Sequence, residues 1–457
     1  MFRCLALLLV ASCIGISACV RQQLDNVRLE ARPLGKESST RPVPTLHPLL
    51  VDEAKPAPET ATGPLTLHQA LSMALLKNPE LAAFSWEIRA GEARTLQAGL
   101  LPNPELDVVV ENFGNSALEG VDGATTTIQV SQSILLGGKR SKRARLASVE
   151  RDVTGWEYEV KRLDVLTDVR KAFVDVLAAQ ERLALSEELT RLAGEVCETV
   201  SERVKAGRVS PVEETKSRTS LATARIELER AKRELAAARK RLVAMWGDTA
   251  PTFEKAAGQF DETRPIPPEE QLASYVSQNP DIARWAAEME QRRAAVALEK
   301  ARWIPEPTLS GGFRHFNEAN EGVFLVGVSI PVPLFDRNQG GILEAKYKLA
   351  KANEERLASE VRVRSALAEA YRSLSTAFVE TSVLKNEVLP GLRSAFEAAM
   401  EGYRQGKFGY LEVLDSQRTF FDARGRYLEA LASYHKAVAD VERLIAEPLD
   451  SVKNPTE

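Results

Sequence analysis

Glu412 and Asp415 stand three residues apart in Leu411-Glu412-Val413-Leu414-Asp415. In a helix, residues at that spacing share one face. Two carboxylates on one face can gather a cation, or they can be ordinary solvated acids. Glu213 holds the matching place about 200 residues earlier, where Lys216 replaces the second acid. Little else in the chain has the makings of a reactive centre. The four histidines, His47, His68, His315 and His435, are far apart, with no Cys or Met cluster beside them. No zinc or copper ligand spacing results. Gly137-Gly138-Lys139-Arg140 suggests anion binding at a helix start but lacks the spacing of a phosphate loop. It reads as a strand-to-helix corner where glycines permit a sharp bend. No nucleophile constellation is present, so no enzyme, no cofactor and no bound metal are expected.

The elements that position these residues follow from composition and pattern. The 457 residues carry 60 Lys+Arg against 64 Asp+Glu, a net charge of −4, which gives no basic bias toward nucleic acid. Hydrophobic residues make up 44% and aromatics only 6%, a balance suited to long packed helices. Beyond the extreme N-terminus no apolar run is long enough for a transmembrane helix. A membrane β-barrel stays open, because its strands are short and alternating. Residues 1–18 have a basic start, an apolar stretch and small residues, the form of a secretory signal. Ile16-Ser17-Ala18-Cys19 resembles a bacterial lipobox, with Cys19 as the acylated first residue. Removing the signal removes Cys4 and Cys13 and leaves Cys197 without a partner, so no internal disulfide is expected.

The chain is expected to be two copies of one unit. Asn78-Pro79-Glu80 returns as Asn279-Pro280-Asp281, Leu101-Pro102-Asn103-Pro104 as Ile304-Pro305-Glu306-Pro307, Val130-Ser131 as Val328-Ser329, and Gly207-Arg208-Val209 as Gly406-Lys407-Phe408. The order is preserved and each step is about 200 residues. The expected domains are a signal at 1–18, an extended segment at 19–63, repeats at 64–247 and 269–447 joined by a Pro-rich linker at 248–268, and a tail at 448–457.

Each repeat reads as a helical segment (65–101 and 270–303), two short strands, a very long helix, a Gly turn and a return helix. The strands alternate with period two: Leu106, Val108 and Val110 against Glu105, Asp107 and Glu111, and Phe324, Val326 and Val328 against Leu325, Gly327 and Ser329. They fit either a small soluble sheet or tilted membrane strands. From Lys139 to Ala206 there is no proline, and such a helix would span about 100 Å. Leu221, Leu228, Leu235 and Leu242, with Ala224, Ala231 and Ala238, form a heptad seam. Pro390-Gly391 is expected to kink the second long helix or divide it into two stacked ones.

Four strands are too few to close a barrel, and open edges cannot sit in lipid. Three copies would supply twelve strands. A soluble coiled-coil rod that never forms a pore is the alternative from another class, but it leaves the matched hairpins unexplained.

Over about residues 64–446 the chain resembles the TolC-type outer-membrane efflux channels. Gln129-Val130-Ser131-Gln132-Ser133 with Leu136-Gly137-Gly138-Lys139-Arg140, and Ser329-Ile330-Pro331-Val332-Pro333-Leu334-Phe335-Asp336-Arg337-Asn338-Gln339-Gly340, are similar to the CzcC-type heavy-metal subgroup. Leu411 to Arg418 resembles that family's stretch after the helix tip. The resemblance implies a homotrimer, mainly α with a small β part, in which a β-barrel of four strands per chain stands on a long α-helical barrel. It implies as partners a periplasmic adaptor, an inner-membrane pump of the resistance-nodulation-division type and outer-membrane lipid, and as cargo heavy-metal cations. Drug efflux and protein secretion by the same architecture stay open. It assigns Glu412 and Asp415, with Glu213 more weakly, to a constriction ring of carboxylates. It gives Tyr403 a gating contact or core packing, and puts Gly207, Arg208, Gly406 and Lys407 at the tips that meet the adaptor.

Overall fold

The computed structural model describes residues 63–112 and 123–452. The expected signal, the acylation candidate Cys19 and all but the last residue of the expected 19–63 segment lie outside the described residues. The described chain opens on a two-residue strand, β1 (Leu65–Thr66), where helix was expected. Then come α1 (Leu67–Lys77), α2 (Pro79–Ala98), the strands β2 (Glu105–Glu111) and β3 (Thr125–Ser133), α3 (Lys139–Lys205) and α4 (Pro211–Ala244). The second half runs β4 (Ala256–Ala257), α5 (Glu269–Tyr275), α6 (Pro280–Arg302), β5 (Thr308–Phe316), β6 (Glu321–Ser329), α7 (Gln339–Val383), α8 (Leu389–Arg404) and α9 (Tyr410–Ile445).

The repeated Asn-Pro step has a double use. Asn78 and Asn279 are N-caps, their Oδ1 atoms accepting from Leu81 N (3.0 Å) and Asp281 N (2.7 Å). The proline that follows sits at the first helical position, where its missing N–H costs nothing. The side-chain nitrogens point the other way. Asn78 donates to Met245 O (2.6 Å), and Asn279 to Arg443 O (3.0 Å) and Leu444 O (2.8 Å). Each asparagine thus pins the start of its repeat to the carbonyl end of that repeat's return helix, satisfying groups the helix leaves unpaired.

Helix α4 buries Ala224, Ala231, Leu235, Ala238 and Leu242, the small-residue side of the heptad seam, and packs along α3. Around Pro390 the helix does not break. The chain passes from α7 into α8 through one π-turn, Leu384–Val388, and stays helical. Proline removes one donor from the i→i−4 ladder, and a π-turn shifts the register at the point where that donor is missing.

Residues 248–268 are more than a connector. Strand β4 pairs in parallel with β1 (Leu65↔Ala256), and the Gln180 amide completes it, donating to Ala256 O (3.0 Å) and accepting from Ala256 N (2.7 Å). Phe253 and Phe260 are buried. The Asp261 carboxylate accepts from Lys385 Nζ (2.6 Å), inside the π-turn, and from Tyr427 on α9. The segment therefore straps both repeats at mid-height.

The four hairpin strands form one antiparallel sheet in the order β2-β3-β5-β6, with the two hairpins joined through β3 and β5 (Ile128↔Phe313). The register puts Leu106, Val108, Ile128, Phe313, Phe324 and Val326 on one face. The opposite face carries Glu105, Asp107, Gln129, Ser131, Ser310 and Arg314. Strands β2 and β6 end the sheet with open edges.

Candidate functional site

The two helix turns come together at one end of the long helices. Gly207 (φ +65°) and Gly406 (φ +75°) are left-handed, as a helix C-terminal cap requires. Arg208 N donates to Arg203 O (2.9 Å) and Lys407 N to Gly402 O (2.8 Å), closing both helices in the same way. Gly207, Arg208, Gly406 and Lys407 are all exposed. Phe408 folds back on Gly402, where an added Cβ would lie 2.2 Å from its ring. A tight cap with a projecting basic residue is thus repeated at both tips.

Tyr403 lies in the core beneath the tips, with Val196, Val200, Phe396, Tyr410 and Val413. The Arg203 guanidinium sits 4.5 Å from its ring centre and donates to its backbone oxygen (3.0 Å). This arrangement crosses from one repeat to the other. Among the described residues the buried Tyr403 hydroxyl has no hydrogen-bond partner, and neither has one Glu213 carboxylate oxygen. Tyr410 meets Tyr403 edge-on at 6.3 Å. Burial pushes the Tyr410 phenol up to about 12, with Cys197, Tyr403 and Glu213 adding to the effect. Glu213, Tyr403 and Tyr410 therefore share one half-dry neighbourhood.

Glu412 and Asp415 are placed differently. Both are exposed, and neither has an ion-pair partner among the described residues. Glu412 lies in the first turn of α9, with its Oε2 beside Gly409, where a negative charge favours the helix dipole. Within one chain Glu213 lies close enough to Tyr410 to act on its phenol, while Glu412 and Asp415 are exposed. Lys216, on α4, is exposed too.

Arg203 and Tyr410 escaped sequence reasoning. The available signal was positional. Arg203 lies four residues before Gly207 and Tyr410 four after Gly406, where an aromatic or basic residue caps a helix pair. Among the described residues no three His, Cys, Asp or Glu side chains converge on one point, and no helix is long and apolar enough to cross a membrane.

A family model described as outer membrane efflux protein matches residues 70–248 and 272–447. The chain belongs to the outer membrane efflux protein family. It is 39% identical to the cobalt-zinc-cadmium resistance protein CzcC of Cupriavidus metallidurans, over 85% of this chain and 91% of that protein. It is 28% identical to the nickel and cobalt resistance protein CnrC of the same organism, over 71% of this chain and 76% of that one. The solved structure of CusC superposes with a TM-score of 0.71 at 18% identity, covering 83% of this chain and 91% of that one. The resemblance drawn from sequence motifs is borne out: this is an outer membrane efflux protein, mainly helical, with the fold of the solved TolC-type channels.

Proposed function

We propose that this chain is the outer-membrane duct of a tripartite heavy-metal efflux system. Three copies close a twelve-stranded barrel on a helical barrel, with Cys19 as a lipid anchor. A proton-driven pump of the inner membrane and a periplasmic adaptor deliver divalent cations such as cobalt, zinc or cadmium, which the duct conducts passively. One observation carries the reading: a sheet with one apolar face, one polar face and two open edges stands above helices of about 100 Å. In lipid, unpaired strand edges are too costly to persist, so sister copies must seal them. The metal assignment rests on the 39% identity to a cobalt-zinc-cadmium resistance protein.

At the tips, Glu412 and Asp415 are exposed and without an ion-pair partner among the described residues, so three copies would set two rings of three carboxylates across the narrow end. Such rings favour cations. The exposed Arg208 and Lys407 caps offer the adaptor a repeated contact. Planar-bilayer recording tests the reading. The unsubstituted protein is expected to form cation-preferring, divalent-blocked channels, and Glu412→Gln with Asp415→Asn to lose most of that preference without loss of assembly. Unchanged selectivity in the double variant removes the ring; a monomer that never conducts removes the channel.

A further inference from the structure

The two strand-to-helix corners are chemically unlike. After β3, residues 134–138 turn inward. Ile134 N donates to Pro307 O (2.8 Å), Gly137 packs so closely on Ile304 that a Cβ would lie 2.3 Å from it, and Lys139 pairs with Glu306 (2.7 Å). Ile134 and Leu136 stay 36% and 42% exposed. After β6, residues 330–338 form a longer loop that projects Ile330 (56%), Val332 (71%), Leu334 (65%) and Phe335 (90%) away from the chain. Four adjacent large apolar side chains form a patch that needs a partner.

The backbone of this loop is suited to leaving water. Pro331 and Pro333 have no N–H to satisfy. Leu334 N bonds to Val332 O (2.9 Å), Arg337 N to Gln339 Oε1 (2.8 Å) and Asn338 N to Asp336 Oδ1 (2.8 Å), and Phe335 O accepts from Gln339 Nε2 (3.1 Å). Several of the loop's polar groups are thus removed or paired locally, which lowers the cost of a low-dielectric surround. The same two prolines stop the ladder at Ser329, so a second copy cannot extend β6 into this segment by strand pairing. Ile330 and Val332 continue the even-numbered phase of Phe324, Val326 and Val328, the apolar face of the sheet.

We infer that the loop at residues 330–335 is a lipid-seated finger that inserts into the glycerol and upper acyl region of the membrane leaflet below the barrel and fixes the height of the duct. The inference rests on the channel reading and adds a membrane contact outside the strands.

Phe335→Trp and, separately, Leu334→Trp are reconstituted in vesicles of phosphatidylethanolamine and phosphatidylglycerol brominated at shallow or deep acyl positions. The emission added by either tryptophan is expected to be blue-shifted and at least halved by shallow bromine, less so by deep bromine, and insensitive to aqueous iodide. Leu136→Trp, in the inward corner, is expected to ignore bromine. Quenching by iodide, or insensitivity to both quenchers because a neighbouring copy covers the loop, overturns the inference while conductance of the same vesicles upholds the channel. If the unsubstituted protein neither inserts nor conducts, the channel reading fails first and the finger falls with it.

Discussion

Helix α3 makes two long seams of opposite chemistry. Against α4 it meets mainly alanines and leucines, with Arg182–Glu234 (3.0 Å) and Ser201–Glu214 (2.9 Å) among its polar exceptions. Against α9 it carries a ladder of ion pairs: Asp164–Arg443, Arg170–Glu442, Lys171–Asp440, Asp175–Lys436, Arg182–Glu429 and Glu188–Arg424. Residue numbers fall along α9 as they rise along α3, so the helices run antiparallel and the rungs fix their register. The dry seam lies within the first repeat; the ladder joins the first repeat to the second. Close-packed alanine and leucine supply stability that cannot slide, because any shift opens a void. Partly wet ion pairs supply register at little net energy, and neighbouring charges can be exchanged along the ladder. The contrast assigns rigidity to the repeat and adjustability to the boundary between repeats.

The largest test of this contrast is at the dry seam. Leu242 is fully buried, and Leu242→Ala is expected to cost about 3 kcal/mol through lost burial and a residual cavity. Thermal melting of the detergent-solubilised protein reads it. A loss below about 1 kcal/mol would mean the seam relaxes freely and is not the rigid one. Next comes Arg443, where the ladder meets the Asn279 staple. Its guanidinium holds Asp164 (2.7 Å) and Asp281 (2.9 Å) and keeps only part of its surface wet. Arg443→Met strands two acids and is expected to cost about 2 kcal/mol, between the wet and buried regimes.

These two positions also mark how far sequence reading reaches. The heptad of Leu235, Ala238 and Leu242 was legible because its period lies within one helix. The Asn-Pro repeat was legible as a helix break, but its bond to the end of the return helix was not, since the acceptor carbonyls are more than 160 residues away and carry no side-chain signature. The ladder was invisible for another reason: Lys171, Asp175 and Lys436 read as ordinary solvated charges until α9 is placed beside α3. At the tips, the Gly turns were readable from glycine's φ freedom. Burial of Tyr403 under Arg203 was not, because it depends on the two repeats meeting. At Pro390 the sequence pointed to the irregularity but not to its form, a π-turn just before the proline through which the chain stays helical.

A smaller effect should appear with pH at the strap, beside the ladder. His435 Nε2 donates to Phe260 O (2.8 Å), and burial lowers the imidazole from its ordinary value. Glu262 and the Phe260 carbonyl pull weakly the other way. Since the folded form resists the proton that the unfolded chain accepts, stability is complete above about pH 6.5 and falls as pH drops below it. Asp261 adds to the loss at still lower pH. Burial alone would raise its carboxyl, but hydrogen bonds from Lys385 and Tyr427 outweigh that and hold it below the usual range. His435→Gln keeps a donor to Phe260 and is expected to flatten the melting temperature between pH 7.5 and 5.5. An unchanged slope would place the titration elsewhere.

The smallest effect decides whether the ladder is soft. Lys171 and Asp440 are joined by an ion pair, with about a third or more of each side chain exposed. Lys171→Ala, Asp440→Ala and the double variant form a cycle that isolates the pair from its surroundings. The coupling is expected to be about 0.5 kcal/mol in low salt and to vanish near 1 M salt, where screening acts within about 3 Å. Asp168 and Asp175 lie on the same stretch of α3, so Lys171→Ala also raises local repulsion; the cycle cancels that term because it is common to both backgrounds. A coupling above about 2 kcal/mol that survives salt would belong to a dry, desolvated contact. The boundary between repeats would then be as rigid as the alanine seam, and adjustment of the duct would have to come from within a repeat.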